Sequence, residues 1–470
     1  MKKILIYICG FLLTVSCTDT FKDAIDFKDV ENPNLAEASV VGQPNSANIW
    51  LHGLERELSR TFNELIILAE LGSDNYDNVK TFYSQLMDNL DIRTTDNDIR
   101  DLQNEIARVR QMAIYGLGTV GPNDSEYTSE VNAEFHFFEG MSYMLAGMYF
   151  SALPITPLGA PINSNDNLQK AITSFNEAIA LNDKAEYNLA KARCYYFLGD
   201  KTNAVSSSEA ALTKSTSFSR EAMFDEKDEP SNSMESALFE RATFNDIQPL
   251  PSLDFLDPKY SFLTTDLDPS IHYLKAEEAY LIIAEAKLKD GAIADVKTNL
   301  EDLLALIATR EVRNIDDSTE LRHDGARPLD ETVIVNGISG LVLNRQSGNV
   351  DIPSVSGTSL TQTDIDNMTN NDAAIALLYK TRQEVFISEG IRLADMGVKF
   401  VINENEFSQN PNIEDGDPST VKVVPSFIAS IADDLDAFDY TTGGTTCTIT
   451  VDLNAVLVAN KASEHVLPFH

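Results

Sequence analysis

Residues 167–212 read NLQKAITSFNEAIALNDKAEYNLAKARCYYFLGDKTNAVSSSEAAL. Ala171, Phe175 and Ala178 recur 33 residues later as Ala204, Ser208 and Ala211, and between them Ala192 and Tyr195 lead to Leu198-Gly199-Asp200, a turn signal. Small side chains at three- and four-residue steps let antiparallel helices approach closely, and an aromatic fills the gap between neighbouring pairs. A period of about 34 residues with this pattern points to tetratricopeptide-type helical hairpins. A further unit runs from Ala276 to Lys289, turns at Asp290-Gly291 and continues from Ala292 to Ala308. So few hairpins are marginal alone, and flanking helices are expected to cover them.

Helical periodicity extends outward on both sides. Trp50, Leu54, Leu58 and Leu65 mark a first helix, with Trp50 placed as core. Asp101 to Tyr115 carries Leu102, Ile106, Val109 and Ala113 on one face, and Ser129 to Ala152 stacks Phe135, Phe138, Met141, Leu145 and Met148 on one stripe. A last long helix is expected from Asp372 to Asn403. Ser215 to Ser270 holds five prolines among scattered aromatics and reads as irregular; Asn314 to Asn371 is rich in turn residues, with β-leaning runs at Thr332–Val335 and Leu341–Leu343. After Tyr440 the pattern suggests loops and a strand or two. The expectation is a mostly α fold over 46–470, with repeats near 167–212 and 273–308 packed against a loop-rich region with a few short strands.

The first sixteen residues, MKKILIYICGFLLTVS, combine Lys2 and Lys3 with an apolar run too short to span a bilayer, and so read as a signal peptide. Cys17 follows Ser16 where a lipoprotein would be cut and acylated. Acyl chains contribute about 0.8 kcal/mol per buried methylene, so such a cysteine would anchor the chain firmly to a membrane. Residues 17–45 read as a polar tether. The whole chain carries 36 basic and 73 acidic residues, net −37, which repels phosphate backbones and argues against nucleic acid as a partner. Beyond Cys9 and Cys17 only Cys194 and Cys447 remain, free or paired, and they specify no disulfide framework.

Several segments in order resemble the SusD-like (SusD/RagB) family of outer-membrane nutrient-binding lipoproteins. Lys275-Ala-Glu-Glu-Ala-Tyr-Leu-Ile-Ile-Ala-Glu-Ala286 resembles its RYAE…AEA helix, with Lys275 in place of the usual arginine. Thr381-Arg-Gln-Glu-Val-Phe-Ile-Ser-Glu-Gly-Ile-Arg-Leu-Ala-Asp395 is similar to its ER, E, EG, R, D helix. Phe135 to Leu158 looks like its aromatic helix running into a proline loop, and Ser233-Met-Glu-Ser-Ala-Leu-Phe-Glu240 like its NPEVIFE segment. The resemblance implies a lid on a SusC-like, TonB-dependent transporter. Such a lid traps an oligosaccharide, a peptide or another nutrient at the cell surface and breaks no bond. The other function weighed is a repeat scaffold docking envelope proteins; a lipoprotein glycosidase is a distant third.

No residue pattern calls for a cofactor. Gly116-Leu-Gly-Thr-Val-Gly121 matches G-x-G-x-x-G in letters, but a helix precedes it, so a helix-to-helix loop is expected. Glu384, Glu389 and Asp395 could suggest a glycosidase pair. Glu389, Arg392 and Asp395 stand three apart, however, and read as charges pairing along one helix. The six histidines form no metal motif, and Glu414-Asp-Gly-Asp417 reads as a solvated turn. For ligand capture the candidate loop is Ser73-Asp-Asn-Tyr-Asp-Asn78. There Tyr76 would stack on a sugar while Asp74 and Asn75 bind hydroxyls, with Tyr260 a second aromatic candidate.

Overall fold

The computed structural model describes residues 41–78, 85–225, 227, 230–240, 247–256, 268–316, 327–344 and 348–470. The leader, Cys17, the tether up to residue 40 and Tyr260 lie outside these residues. Eight long helices follow one another among the described residues: α1 (Ser46–Leu71), α2 (Asn97–Tyr115), α3 (Ser129–Tyr149), α4 (Ser164–Leu181), α5 (Ala185–Phe197), α6 (Lys201–Lys214), α7 (Ala276–Lys289) and α8 (Ile293–Ile307). Each packs on its sequence neighbours, α1 on α2 through to α7 on α8, so the hairpins stack into a continuous slab. A ninth, α9 (Asp372–Phe386), a short α10 (Ile391–Asp395) and α11 (Leu453–Ala459) close over it, α9 against α7, α10 against α1 and α11 against α9.

Local chemistry sets where these helices start and stop. Asp96, Thr128, Asn163, Asp200, Asn371 and Asp452 precede their helices in non-helical conformations, and each side chain accepts a hydrogen bond from a first-turn backbone N–H. Such a cap contributes about 1 kcal/mol. The two repeat turns close identically. Gly199 and Gly291 have φ of +70° and +74°. Gly199 N–H donates to Tyr196 and Asp200 N–H to Tyr195, while Gly291 N–H donates to Leu288 and Ala292 N–H to Lys287. This is the glycine-terminated helix end that satisfies the orphan carbonyls, and it confirms the turns expected at both positions.

Helices α3 and α4 approach closely. A Cβ built on Gly140 would sit 2.5 Å from the Phe175 ring, and one on Gly147 would lie 2.7 Å from Leu168 Cγ. Phe175 is the repeat aromatic, and its ring stands 5.8 Å from that of Phe137, which in turn stacks on Tyr187 at 5.0 Å. Gly140→Ala is therefore expected to destabilise the protein by about 1–3 kcal/mol through overpacking, read as a lower denaturant midpoint with an unchanged slope.

Three sequence expectations need correction. The 116–121 segment is not a loop: α2 runs on through a π-turn, Gly116–Val120, and one further turn, Gly121–Asn123. The glycines serve packing, because a Cβ at Gly116 would meet the Phe135 ring at 3.0 Å and one at Gly121 would strike the Tyr127 ring. The helix expected over 372–403 breaks after Phe386, where Ser388 (φ +62°) and Gly390 (φ +75°) take left-handed backbone. Beyond α10 the chain leaves the helix, and Phe400 bridges to Phe150. The 215–270 stretch carries regular structure, both near its start and within it at Ile247–Pro249. Ser219–Ala222 pairs antiparallel with Ile271–Lys275, with a register shift between Arg220 and Glu221.

Two small sheets matter for the site. β1 (Tyr76–Asn78) pairs antiparallel with β2 (Ile247–Pro249). β3 (Ile334–Val335), β4 (Phe438–Tyr440) and β5 (Thr446–Ile449) form a second sheet with β5 in the centre. A separate apolar cluster of Val333, Val335, Leu341, Val342 and Cys447 underlies it. Cys194 sits in the main core, and both thiols are free. No helix among the described residues is long and apolar enough to cross a membrane.

Candidate functional site

Two of the segments that carried the family resemblance, 275–286 and 381–395, meet through buried ion pairs. From α7, Glu278 receives Arg193 of α5 through Nε at 2.9 Å and Nη2 at 2.6 Å, while Glu277 holds Arg310 by two bonds of 2.7 Å. Lys275 donates to Glu389 at 2.5 Å, to the Val385 carbonyl at 2.7 Å and to the Val355 carbonyl at 3.0 Å. Lysine thus satisfies a buried carboxylate at the position where arginine is usual.

Glu389, Arg392 and Asp395 do not pair with one another as the three-residue spacing suggested. Because the helix breaks between Glu389 and the other two, each reaches a different element. Glu389 goes to Lys275, Asp395 to Arg382 at 2.7 Å, and Arg392 to Asp74 at 2.6 and 2.8 Å. Glu384 accepts from Thr358 Oγ1, Ser359 N and Ser359 Oγ at 2.6–2.8 Å. All three carboxylates hold the fold together.

The Ser73–Asn78 loop is drawn into the same network. Glu70, at the end of α1, accepts from Asn75 Nδ2 at 2.7 Å and from Gly390 N at 2.8 Å, tying the loop to the helix break. Asn75 and Tyr76 are both 0% exposed, and the Tyr76 hydroxyl bonds Ser388 Oγ. A ring with no free face offers no platform, which corrects the stacking role expected for Tyr76 and the hydroxyl-binding role expected for Asn75. Asp74, 4% exposed, has a different position. Its carboxylate takes Arg392, Gln383 Nε2 donates to it at 3.0 Å, Asn454 Nδ2 donates to Gln383 Oε1 at 3.0 Å, and Arg392 Nη1 donates to Asn454 Oδ1 at 3.0 Å. Asp74, Gln383, Asn454 and Arg392 therefore form a closed ring. Burial works against the Arg392 guanidinium, but Asp74 and further carboxylates outweigh it and raise its pKa.

Asp74, Gln383 and Asn454 of this ring line a cleft of about 270 Å³, with Arg392 holding them from behind. Lys380 and Gln383 of α9 and Asp452 and Asn454 at the start of α11 supply the polar edges, and Leu250 and Ile338 supply apolar surface. The cleft lies where α9, α11 and the two small sheets converge, and Leu250 N donates to Asn75 O at 3.0 Å. Amides, a carboxylate and an ammonium can donate to and accept from hydroxyl groups in many directions. None of the described lining residues is aromatic. Of the sequence candidates among the described residues, only Asp74 lines this cleft. Lys380, Gln383, Asp452 and Asn454 were missed: they lie on separate segments, and only the capping role of Asp452 leaves a local trace.

On the other side of β1 the acids crowd together. Asp77 pairs with Arg327 at 3.1 Å. Burial, then Asp436 and Asp77, push Asp88 up to about 7, and burial with Asp77 pushes Asp436 up to about 6. Glu64 and Glu285 are raised to about 7 and Glu105 to about 8, in each case chiefly by burial. A carboxyl whose folded pKa lies above its unfolded one stabilises the fold fully below the unfolded value. That contribution is lost as pH rises through the folded value. His470, lowered to about 4 by burial, acts oppositely but only up to its unfolded pKa of about 6.5. The melting temperature is thus expected to fall between about pH 6 and pH 8, and Asp88→Asn to flatten that fall in a calorimetric pH series. A rise over the same range would contradict the assignment.

No family model and no curated protein sequence matches the chain. Solved structures do. A SusD superfamily protein from Bacteroides vulgatus aligns with a TM-score of 0.54 at 12% identity, covering 79% of this chain and 98% of its own. One from Bacteroides thetaiotaomicron gives 0.53 at 12%, with 79% and 98% covered. One from Bacteroides fragilis gives 0.52 at 14%, with 80% and 100% covered. The fold is SusD-like. Helices α7 and α9–α10 carry the buried ion pairs described above, and the Asp74 cleft lies beside them, against α9.

Proposed function

We propose that this protein is a cell-surface nutrient-binding lipoprotein. In this reading it captures an oligosaccharide in the Asp74 cleft without altering it and delivers it to a SusC-like TonB-dependent transporter. Cys17 carries the lipid that anchors it to the outer membrane. The SusD-like fold supports the role, and the observation that carries the ligand class is the cleft itself. A hydrogen-bonded ring of Asp74, Gln383, Asn454 and Arg392 stands beside Lys380 and Asp452. Fixed donors and acceptors over an aliphatic surface suit hydroxyl-bearing ligands held at their edges, and a preorganised ring loses little entropy on binding.

The test is a glycan array followed by calorimetric titration of the best ligand and mass analysis of the recovered ligand. Binding with no change in ligand mass is expected, and Lys380→Ala should weaken it about tenfold, or about 1.4 kcal/mol. Cleavage of the ligand, or affinity indifferent to Lys380→Ala, would overturn the reading. Affinity purification from cell envelopes should bring down a TonB-dependent transporter; other envelope proteins with no transporter would favour the scaffold role.

A further inference from the structure

The strand pair Ser219–Ala222 and Ile271–Lys275 is irregular at one point. Arg220 stands opposite Leu274 and Glu221 opposite His272, so Tyr273 is the extra residue of a bulge. A bulge re-aims the side chain it carries. Here Tyr273 and Arg220 both line a cavity of about 270 Å³ bounded by this strand pair, α1 and α3. That space exceeds what one water fills and suits only a small ligand.

Arg220 is held rigidly and incompletely paired. Its guanidinium lies over the Phe137 ring at 4.1 Å and the Phe138 ring at 5.5 Å, and Nη2 donates to Glu134 Oε2 at 2.7 Å. Glu134 also takes Lys184 and the Tyr187 hydroxyl, both at 2.6 Å. One carboxylate thus serves two cations. Arg220 Nε and Nη1 have no hydrogen-bond partner among the described residues, and both stay open to solvent. The Tyr273 hydroxyl is in the same state, although the residue is only 4% exposed and its ring is fixed on Phe62 at 4.8 Å. Burial pushes the pKa of that hydroxyl up, against the pull of Arg220, so it remains a donor. Since both residues line the cavity, their spare donors open onto it.

The other walls are largely apolar. Leu58, Phe138 and Ala222 line the cavity from within, and Met223, 60% exposed, continues that surface outward. Glu55 and Glu221 also line it, but each already has partners: His52 at 3.0 Å for Glu55, and Ser270 and His272 for Glu221.

We propose that this cavity is a second binding site, separate from the Asp74 cleft, for a small aromatic monocarboxylate. The ligand carboxylate accepts from Arg220 Nε and Nη1 and from the Tyr273 hydroxyl. Its ring lies against Leu58, Phe138 and Ala222, and Met223 covers the edge, where a thioether sulfur is favourable. A planar fork already fixed on two rings loses little freedom when it binds a carboxylate. A neutral sugar fits less well, having neither the charge for Arg220 nor a flat apolar face for the walls. A dianion such as phosphate would meet Glu55 and Glu221.

The test is calorimetric titration of the purified protein with benzoate. Benzyl alcohol, which lacks the charge, and acetate, which lacks the ring, serve as probes. Saturable binding of benzoate is expected, with each probe weaker by about tenfold or more. Tyr273→Phe keeps the ring on Phe62 and removes one donor, which should weaken benzoate by about fivefold or more. Ala222→Leu fills the cavity without touching the buried charges and should abolish benzoate binding. Lys380→Ala should leave benzoate affinity unchanged, which keeps this site apart from the Asp74 cleft. The proposal is overturned if benzoate does not bind at millimolar concentration or if benzyl alcohol binds as tightly. It is equally overturned if Tyr273→Phe or Ala222→Leu binds benzoate as the wild type does, or if Lys380→Ala abolishes the binding.

Discussion

Glu278→Ala is expected to lower stability by about 3–5 kcal/mol, the cost typical of breaking a buried ion pair from one side. Glu278 is fully buried, holds Arg193 through Nε and Nη2 along one guanidinium edge, and lies 3.9 Å from Arg382 Nη2. Alanine leaves two buried cations facing a void. Most of the loss comes from the abandoned charge rather than from the pair's net worth, so removing both partners should recover much of it: Arg193→Met with Glu278→Met is expected to be closer to wild type than Glu278→Ala alone. Arg193 also donates to the Tyr273 carbonyl at 2.7 Å, so recovery should be incomplete. Asp290→Ala is the contrast. Its partner Lys201 sits at the surface, and exposed pairs contribute about 0–1 kcal/mol. Urea midpoints of the four proteins decide the matter; equal losses for Glu278→Ala and Asp290→Ala would refute the weight given to the buried pair.

Asp74→Asn should show two effects at once. Replacing the carboxylate by a nearly isosteric amide leaves Arg392 buried and uncompensated, at a cost of about 3 kcal/mol. It also turns an acceptor that receives Gln383 and Arg392 into a group with donors of its own, which breaks the hydrogen-bonded ring. Gln383 and Asn454 then lose their fixed orientation, and saccharide affinity is expected to fall by about tenfold or more even at temperatures where the variant is fully folded. Lys380→Ala separates the two roles. Lys380 lies 3.6 Å from Glu384, which already accepts from Thr358 and Ser359, so its removal should lower affinity with little loss of stability. Denaturation and titration run on both variants check the split.

The hairpins were legible because their cause is local. Alanines at Ala171, Ala178, Ala204 and Ala211, the repeat aromatic Phe175 and the glycine turns at Gly199 and Gly291 each act within a few residues of themselves. Helix starts were less so: periodicity begins at Asp101 where the helix begins at Asn97, and the caps Asp96 and Asn163 stand outside the apolar pattern. The break at 387–390 was not. Apolar and charged periodicity runs straight across it, and only Glu70, more than three hundred residues away in sequence, accepts the Gly390 N–H that fixes it. Strand pairing of Ser219–Ala222 with Ile271–Lys275 was hidden by the 48 intervening residues. The site was least legible. Asp74 was named as a ligand group for its place in a loop, yet what brings it to the cleft is Arg392, assigned by spacing to the wrong partners. Tyr76 was chosen for an aromatic face that the fold buries against Ser388.

The account rests on a rigid helical slab whose edge cleft grips a saccharide. Hydrogen–deuterium exchange with and without the saturating saccharide tests this most directly. The account predicts added protection confined to the segments around 74–78, 380–383, 449–454 and 336–338, with the exchange of α3 to α6 unchanged. Protection that falls on α3 to α6 instead, or none anywhere despite saturated binding, would contradict it.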